Sequence, residues 1–238
     1  MSRYLLSTHA FVCRVNDHAI VLDLRRDEYT AISGVEAHAL SALVRGWPKL
    51  DAAVEREAAC AEGGTTITRR LLEEGVLTRS ETVGKDATPV TLERVTASII
   101  DGVPYRHRLT IRDIYHFVHA WIAVTAMLRF WPLERVVHHV RVRKARAGHR
   151  QAALAPDRLR GLIAGYFRLQ LSAFSPLDAC LRNSLTLIEF LAHYRIYPTW
   201  VIGVRVAPWG AHSWVQCGPL LLNGDPAHVQ SFTPIMAV

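Results

Sequence analysis

The feature that most constrains this 238-residue chain is a change of apolar period near Tyr197-Pro198. Upstream, Leu181, Leu185, Ile188 and Ala192 recur at helical spacing, and Leu187 and Leu191 widen the face, which predicts a buried helix. Downstream, Trp200 to Val206 is rich in β-branched and aromatic residues. Pro208-Trp209-Gly210 interrupts that run as a hairpin connection does, and Ala211 to Cys217 reads as the returning strand. A third strand, Leu220 to Leu222, leads into the turn Asn223-Gly224-Asp225-Pro226. Helix, strand, strand, turn in that order predicts an α+β unit, with the helical stretch of residues 111 to 173 covering the sheet.

The same order distributes three reactive side chains. Ser175-Pro176-Leu177-Asp178 has the pattern of a cap with proline near the first helical position, so Cys180 falls in the opening turn. Unpaired backbone N–H groups and the positive end of the helix dipole favour a thiolate there. His212 starts the returning strand and shares a face with Trp214 and Gln216, while Ala211, Ser213, Val215 and Cys217 share the other. Asp225 is the only carboxylate downstream of His212. A thiol nucleophile, an imidazole that takes its proton and a carboxylate that holds the imidazole are the parts of nucleophilic acyl transfer. Taken singly, a core thiol, a hydrogen-bonded strand histidine and an Asp-Pro turn are the commoner accounts of these residues. Their order and their elements favour the triad.

A polar, aperiodic stretch from Arg79 to Pro89 divides the chain into residues 1–82 and 90–238. The first part predicts strands over Ala10 to Val15, Ala19 to Leu24 and Glu28 to Ile32. Three helices follow: one capped by Ser33 with Val35, Ala39, Leu40 and Leu43 on its inner face, one over Leu50 to Ala59, and one over Thr65 to Glu74 ended by Gly75. With a final Val76-Leu77 extension this is a winged-helix-like unit. Such units often bind DNA, but residues 1 to 85 hold 11 Lys+Arg against 12 Asp+Glu, a net charge of −1. The surplus behind the overall +7 lies in the remaining residues, so nucleic acid is not the expected partner.

Four cysteines, Cys13, Cys60, Cys180 and Cys217, are scattered without a C-x-x-C pair, which suggests neither a disulfide framework nor a zinc knuckle and points to a reducing cytoplasm. Met1 to His9 lacks a secretory signal, and Phe117 to Met127, broken by His119, is too short for a bilayer and reads as a buried core helix. No membrane insertion is expected. His116, His119, His138, His139 and His149 have no metal-ligand spacing, and Gly161 to Gly165 is not followed by Gly-Lys-Ser/Thr, so neither a metal nor another cofactor is expected. The basic run Arg135, Arg141, Arg143, Lys144, Arg146 and Arg150 reads first as a solvated helix face, and otherwise as a docking surface for an acidic substrate segment or a partner enzyme.

The words around the triad resemble a known family. Asp178-Ala179-Cys180-Leu181-Arg182-Asn183-Ser184-Leu185, Gly203-Val204, Ala211-His212-Ser213-Trp214-Val215, Leu222 to Pro226 and Phe232 to Ile235 resemble the lasso peptide B proteins. These are transglutaminase-like leader peptidases of the microcin J25 processing type. The resemblance covers roughly residues 90 to 238 and implies a transglutaminase/papain-like α+β cysteine protease domain with Cys180, His212 and Asp225 as its triad. The family pattern Asn-Asp-Asp-Pro stands here as Asn223-Gly224-Asp225-Pro226, so Asn223 is the alternative orienter of His212. Residues 1–82, with Val21-Leu22-Asp23-Leu24 and Asp27-x-Tyr29, resemble PqqD-like precursor recognition elements. That resemblance implies that a leader peptide adds as a strand beside Tyr29 to Ile32, facing Arg69 and Leu72. It further implies a partner, an asparagine-synthetase-like lasso cyclase that acts on the freed core peptide. A transglutaminase-like amide transferase and a non-catalytic peptide- or DNA-binding regulator are the competing functions.

Overall fold

Short strands tie the ends of the first unit together. In the computed structural model, which describes residues 4–49, 63–99, 101, 108–148, 156–171 and 180–238, β1 (Leu5–Ser7) pairs antiparallel with β5 (Leu77–Thr78) on one side and β6 (Gly84–Lys85) on the other. The second sheet is an antiparallel meander of β2 (Ala10–Val15), β3 (His18–Asp23) and β4 (Glu28–Ile32), each within one residue of the span that alternation predicts. Its two reversals carry Asn16 and Asp27, both at φ 54°. Short Asx side chains tolerate that left-handed region by bonding locally.

Helix α1 (Gly34–Leu43) starts where Ser33 predicts it, the Glu36 carboxylate accepting from the Ser33 backbone N–H at 3.3 Å and hydroxyl at 2.8 Å. Its inner face is rotated from the predicted one: Ala37 and Leu40 are fully buried, whereas Val35 and Ala39 are only half-buried. The reason is the core that receives it, in which Ala37 and Leu40 pack with Val21, Ile32, Ile67 and Leu71. Helix α2 (Gly63–Glu73) supplies the last two of these and ends at Gly75, whose φ of 76° suits glycine. The predicted helix over residues 50–59 lies outside the described residues.

The second sheet-bearing region has strand order β11-β8-β9-β10-β7, built from β7 (Ala97–Ser98), β8 (Thr199–Arg205), β9 (Gly210–Cys217), β10 (Leu220–Leu221) and β11 (Thr233–Ala237). Five helices accompany it: α3 (Ile111–Phe130), α4 (Leu133–Ala147), α5 (Pro156–Leu171), α6 (Cys180–Ala192) and the single turn α7 (Pro226–Val229). From Ser184 to Ala192 every residue of α6 is buried. Helix α3 departs from the expected core helix. Phe117, Ala120, Val124 and Met127 are buried, but Ile111, Tyr115, Val118 and Ile122 on the opposite side are exposed at 88%, 65%, 44% and 56%. The run is apolar all round, yet only one stripe meets the core. Among the described residues no helix is long and apolar enough to cross a membrane.

By internal contacts the chain forms two compact units, Met1–Thr91 with Val204–Gly210 and Thr233–Met236, and Leu92–Gly203 with Ala211–Phe232 and Ala237–Val238. The molecule is thus mixed α+β.

Candidate active site

Cys180 is the first residue of α6, half-buried and not in a disulfide. The predicted cap at residues 175–178 lies outside the described residues. The other described thiols differ in setting. Cys217 is exposed, while Cys13 is buried in β2, where desolvation pushes its thiol up to about 12 and keeps it protonated.

One turn beyond Cys180, Ser184 begins a chain of buried hydrogen bonds that fixes α6 against the sheet. Its hydroxyl donates to the Ser213 carbonyl at 2.9 Å, and the Ser213 hydroxyl accepts from Trp200 Nε1 at 2.8 Å. Asn223 completes the clamp: its Nδ2 donates to Ser184 Oγ at 3.1 Å, and its Oδ1 accepts from the Val215 N–H at 2.7 Å. Ser184 and Ser213 are 0% and 4% exposed. A satisfied polar network in so dry a place sets register, since a helix slipped by one residue would strand several donors and acceptors. The register it sets is between the helix that carries Cys180 and the strand that carries His212, the neighbour of Ser213.

His212 is half-buried on β9 among three rings. Trp214 lies nearly parallel at 6.2 Å, Phe232 at 5.3 Å and His228 edge-on at 4.8 Å between centroids. Trp214 is itself placed by its Nε1 donating to Gln216 Oε1 at 2.8 Å and by Gly203 beneath it, where an added Cβ would sit 2.6 Å from the indole. His228 and Phe232 beside His212, and Ser184 and Ser213 in the clamp, were not singled out by sequence reasoning. The available signals were that Ser184 repeats Cys180 at i+4 and that Ser213 adjoins His212.

The two orienter candidates have different surroundings. Asp225 is exposed and caps α7, its carboxylate accepting from the Ala227 N–H at 3.0 Å. Asn223 is half-buried, with both ends of its amide engaged on Ser184 and Val215. Among the described residues no group of three or more His, Cys, Asp or Glu is arranged to hold a metal ion.

In the first unit, Tyr29 is half-buried on β4, the end strand of its sheet, and its ring meets Trp209 edge-on at 5.7 Å. Ile32 is 0% exposed within the core, so its side chain is not presented at the surface. Arg69 is exposed on α2, and Leu72 is half-buried against the same core.

A family model described as the transglutaminase-like superfamily matches residues 120–237, which puts a transglutaminase-like domain in the C-terminal part of the chain, around Cys180, His212 and the clamp. That superfamily includes cysteine peptidase-like enzymes. No curated protein and no solved structure matches the chain.

Proposed function

We propose that this protein is a cytoplasmic cysteine leader peptidase of the lasso peptide B type, in which residues 1–82 hold the leader of a ribosomally made precursor and residues 90–238 cut it. The observation that carries the reading is the Ser184–Ser213–Asn223 clamp, which locks the helix bearing Cys180 to the strand bearing His212 inside a transglutaminase-like domain. Cys180 thiolate attacks the scissile carbonyl, and backbone N–H groups at the start of α6 hold the oxyanion. His212 protonates the leaving amine, then draws a proton from the water that hydrolyses the acyl-enzyme. The trapped rings of Trp214 and Phe232 limit the tilt of that imidazole. Asp225 or Asn223 orients it. The leader adds to the open edge of β4 by main-chain hydrogen bonds beside Tyr29 to Ile32, with Arg69 and Leu72 facing it. Tethering in this way raises the effective concentration of the cleavage site. The freed core passes to an asparagine-synthetase-like cyclase.

The test is to incubate the purified protein with the precursor peptide encoded beside it and read the product masses. Wild type releases leader and core, and Cys180→Ala leaves the precursor intact. Cleavage that survives Cys180→Ala overturns the reading, and an isopeptide-linked product in place of a shortened peptide assigns amide transfer instead.

A further inference from the structure

The basic run on α4 is not an evenly solvated face. Its second half and the loop after α6 enclose a pocket of about 430 Å³, whose lining includes His139, Arg143, Arg146, Arg195 and Tyr197. Two of these lie against Glu189, a buried carboxylate of α6. Arg143 donates to Glu189 Oε2, and His139 Nε2 lies 3.5 Å from Glu189 Oε1. The guanidinium groups of Arg146 and Arg195 have no hydrogen-bond or ion-pair partner among the described residues. Three guanidinium groups less one carboxylate leave a formal +2 at the pocket.

Arg195 is also an unusual choice for its backbone. It occupies the left-handed residue that closes α6, at φ 60°, with its N–H donating to the Ala192 carbonyl and the next N–H, of Ile196, donating to the Leu191 carbonyl. Glycine or asparagine ordinarily stands there, because a longer side chain is strained in that region. The strain is kept here along with a guanidinium at the pocket wall.

We propose that this pocket binds a phosphate-bearing small molecule, with Arg146 and Arg195 gripping its phosphate oxygens and Arg143 completing the cradle. Guanidinium forks match the tetrahedral, multiply charged oxygens of phosphate, and three arginines lining one pocket exceed what one carboxylate can occupy. The volume is that of a small-molecule site and not of an extended docking face. The pocket is separate from the acyl-transfer site: Cys180 opens the 13-residue helix and the pocket lies past its other end, roughly 20 Å along the axis. The proposal therefore stands or falls independently of the peptidase reading.

Calorimetric titration of the full-length protein with inorganic phosphate, pyrophosphate and ATP tests it, with citrate as the carboxylate control. Pyrophosphate binds saturably, and Arg146→Gln and Arg195→Gly each weaken it about tenfold or more, the loss expected for one charge-assisted contact. Arg195→Gly relieves the backbone and leaves Tm unchanged or raised, which separates lost binding from lost fold. ATP binding tighter than pyrophosphate assigns a nucleotide with its base against Tyr197, and equal affinities assign the phosphates alone. Absence of saturable binding by all three ligands at millimolar concentration overturns the site, as does affinity unchanged in both variants or citrate binding as tightly as pyrophosphate.

Discussion

Asn223 and Asp225 stand two residues apart in one turn and hold different things. Asp225 caps a four-residue helix at the surface, so Asp225→Ala should cost about 1 kcal/mol of stability, the usual value of a cap. Asn223→Ala removes two hydrogen bonds and leaves the Val215 N–H and the Ser184 hydroxyl short of partners, a loss of about 2–4 kcal/mol. Urea unfolding of the two variants measures this directly, and a larger loss for Asp225→Ala would contradict the clamp. Activity of the same variants reports on the orienter, since the residue that holds His212 lowers kcat by far more than its cost in stability explains. At this scale the placement of Cys180 at the start of a buried helix and of His212 near the start of a strand was legible, because the apolar period changes between them. The serines were not. Ser184 meets a partner 29 residues away and another 39 away, and nothing local distinguishes it from an ordinary helical serine.

Among elements, the long ones were legible and the short ones were not. β2, β3, β4, β8 and β9 run five to eight residues and show their branched or alternating pattern, whereas β5, β6, β7 and β10 have two residues each and too little length for a period. β11 contains Pro234, which argues against a central strand, and it lies at the sheet edge where proline is tolerated. The half-exposure of α3 was likewise unreadable, because an all-round apolar run does not reveal which stripe finds a partner. Packing between β8 and β9 yields a sharper expectation. A Cβ at Gly203 would meet the Trp214 ring at 2.6 and 2.7 Å and Phe232 Cβ at 3.1 Å. Since both rings flank His212, Gly203→Ala should destabilise by about 1–3 kcal/mol and lower activity through a displaced imidazole. A melting temperature equal to that of wild type would show that the indole has room to move.

For the whole molecule, the net charge of each part could be counted from the sequence, while the histidine cluster could not be foreseen, since His193 reaches His116 and His119 across more than 70 residues of chain. His193 stacks on His116 at 4.4 Å with planes 11° apart, and its Nε2 lies 3.2 Å from His119 Nδ1, joining the end of α6 to α3. Arg112 Nε donates to His116 Nε2 at 3.1 Å from one side, and Tyr194 donates to the buried Asp113 on the other. Burial first, then the neighbouring His116, His119, Arg143 and Arg112, pull His193 down to about 4 from its ordinary 6.5, and burial with Arg112 also lowers His116. A folded-state pKa below the unfolded one means that, between those two values, the unfolded chain binds more protons than the fold. Stability is therefore fully present above about pH 6.5 and declines as the pH falls toward 4. Partial exposure of the ring lets solvent screen part of the effect, so the slope is shallow. Thermal melts from neutral pH downward should show Tm falling below about pH 6.5, ahead of the carboxylates, whose ordinary pKa values are near 4. In His193→Gln the decline in that window should flatten, because the neutral amide keeps a hydrogen-bond partner for His119 without a proton to gain. An identical slope in wild type and variant would assign the acid sensitivity to groups outside this cluster.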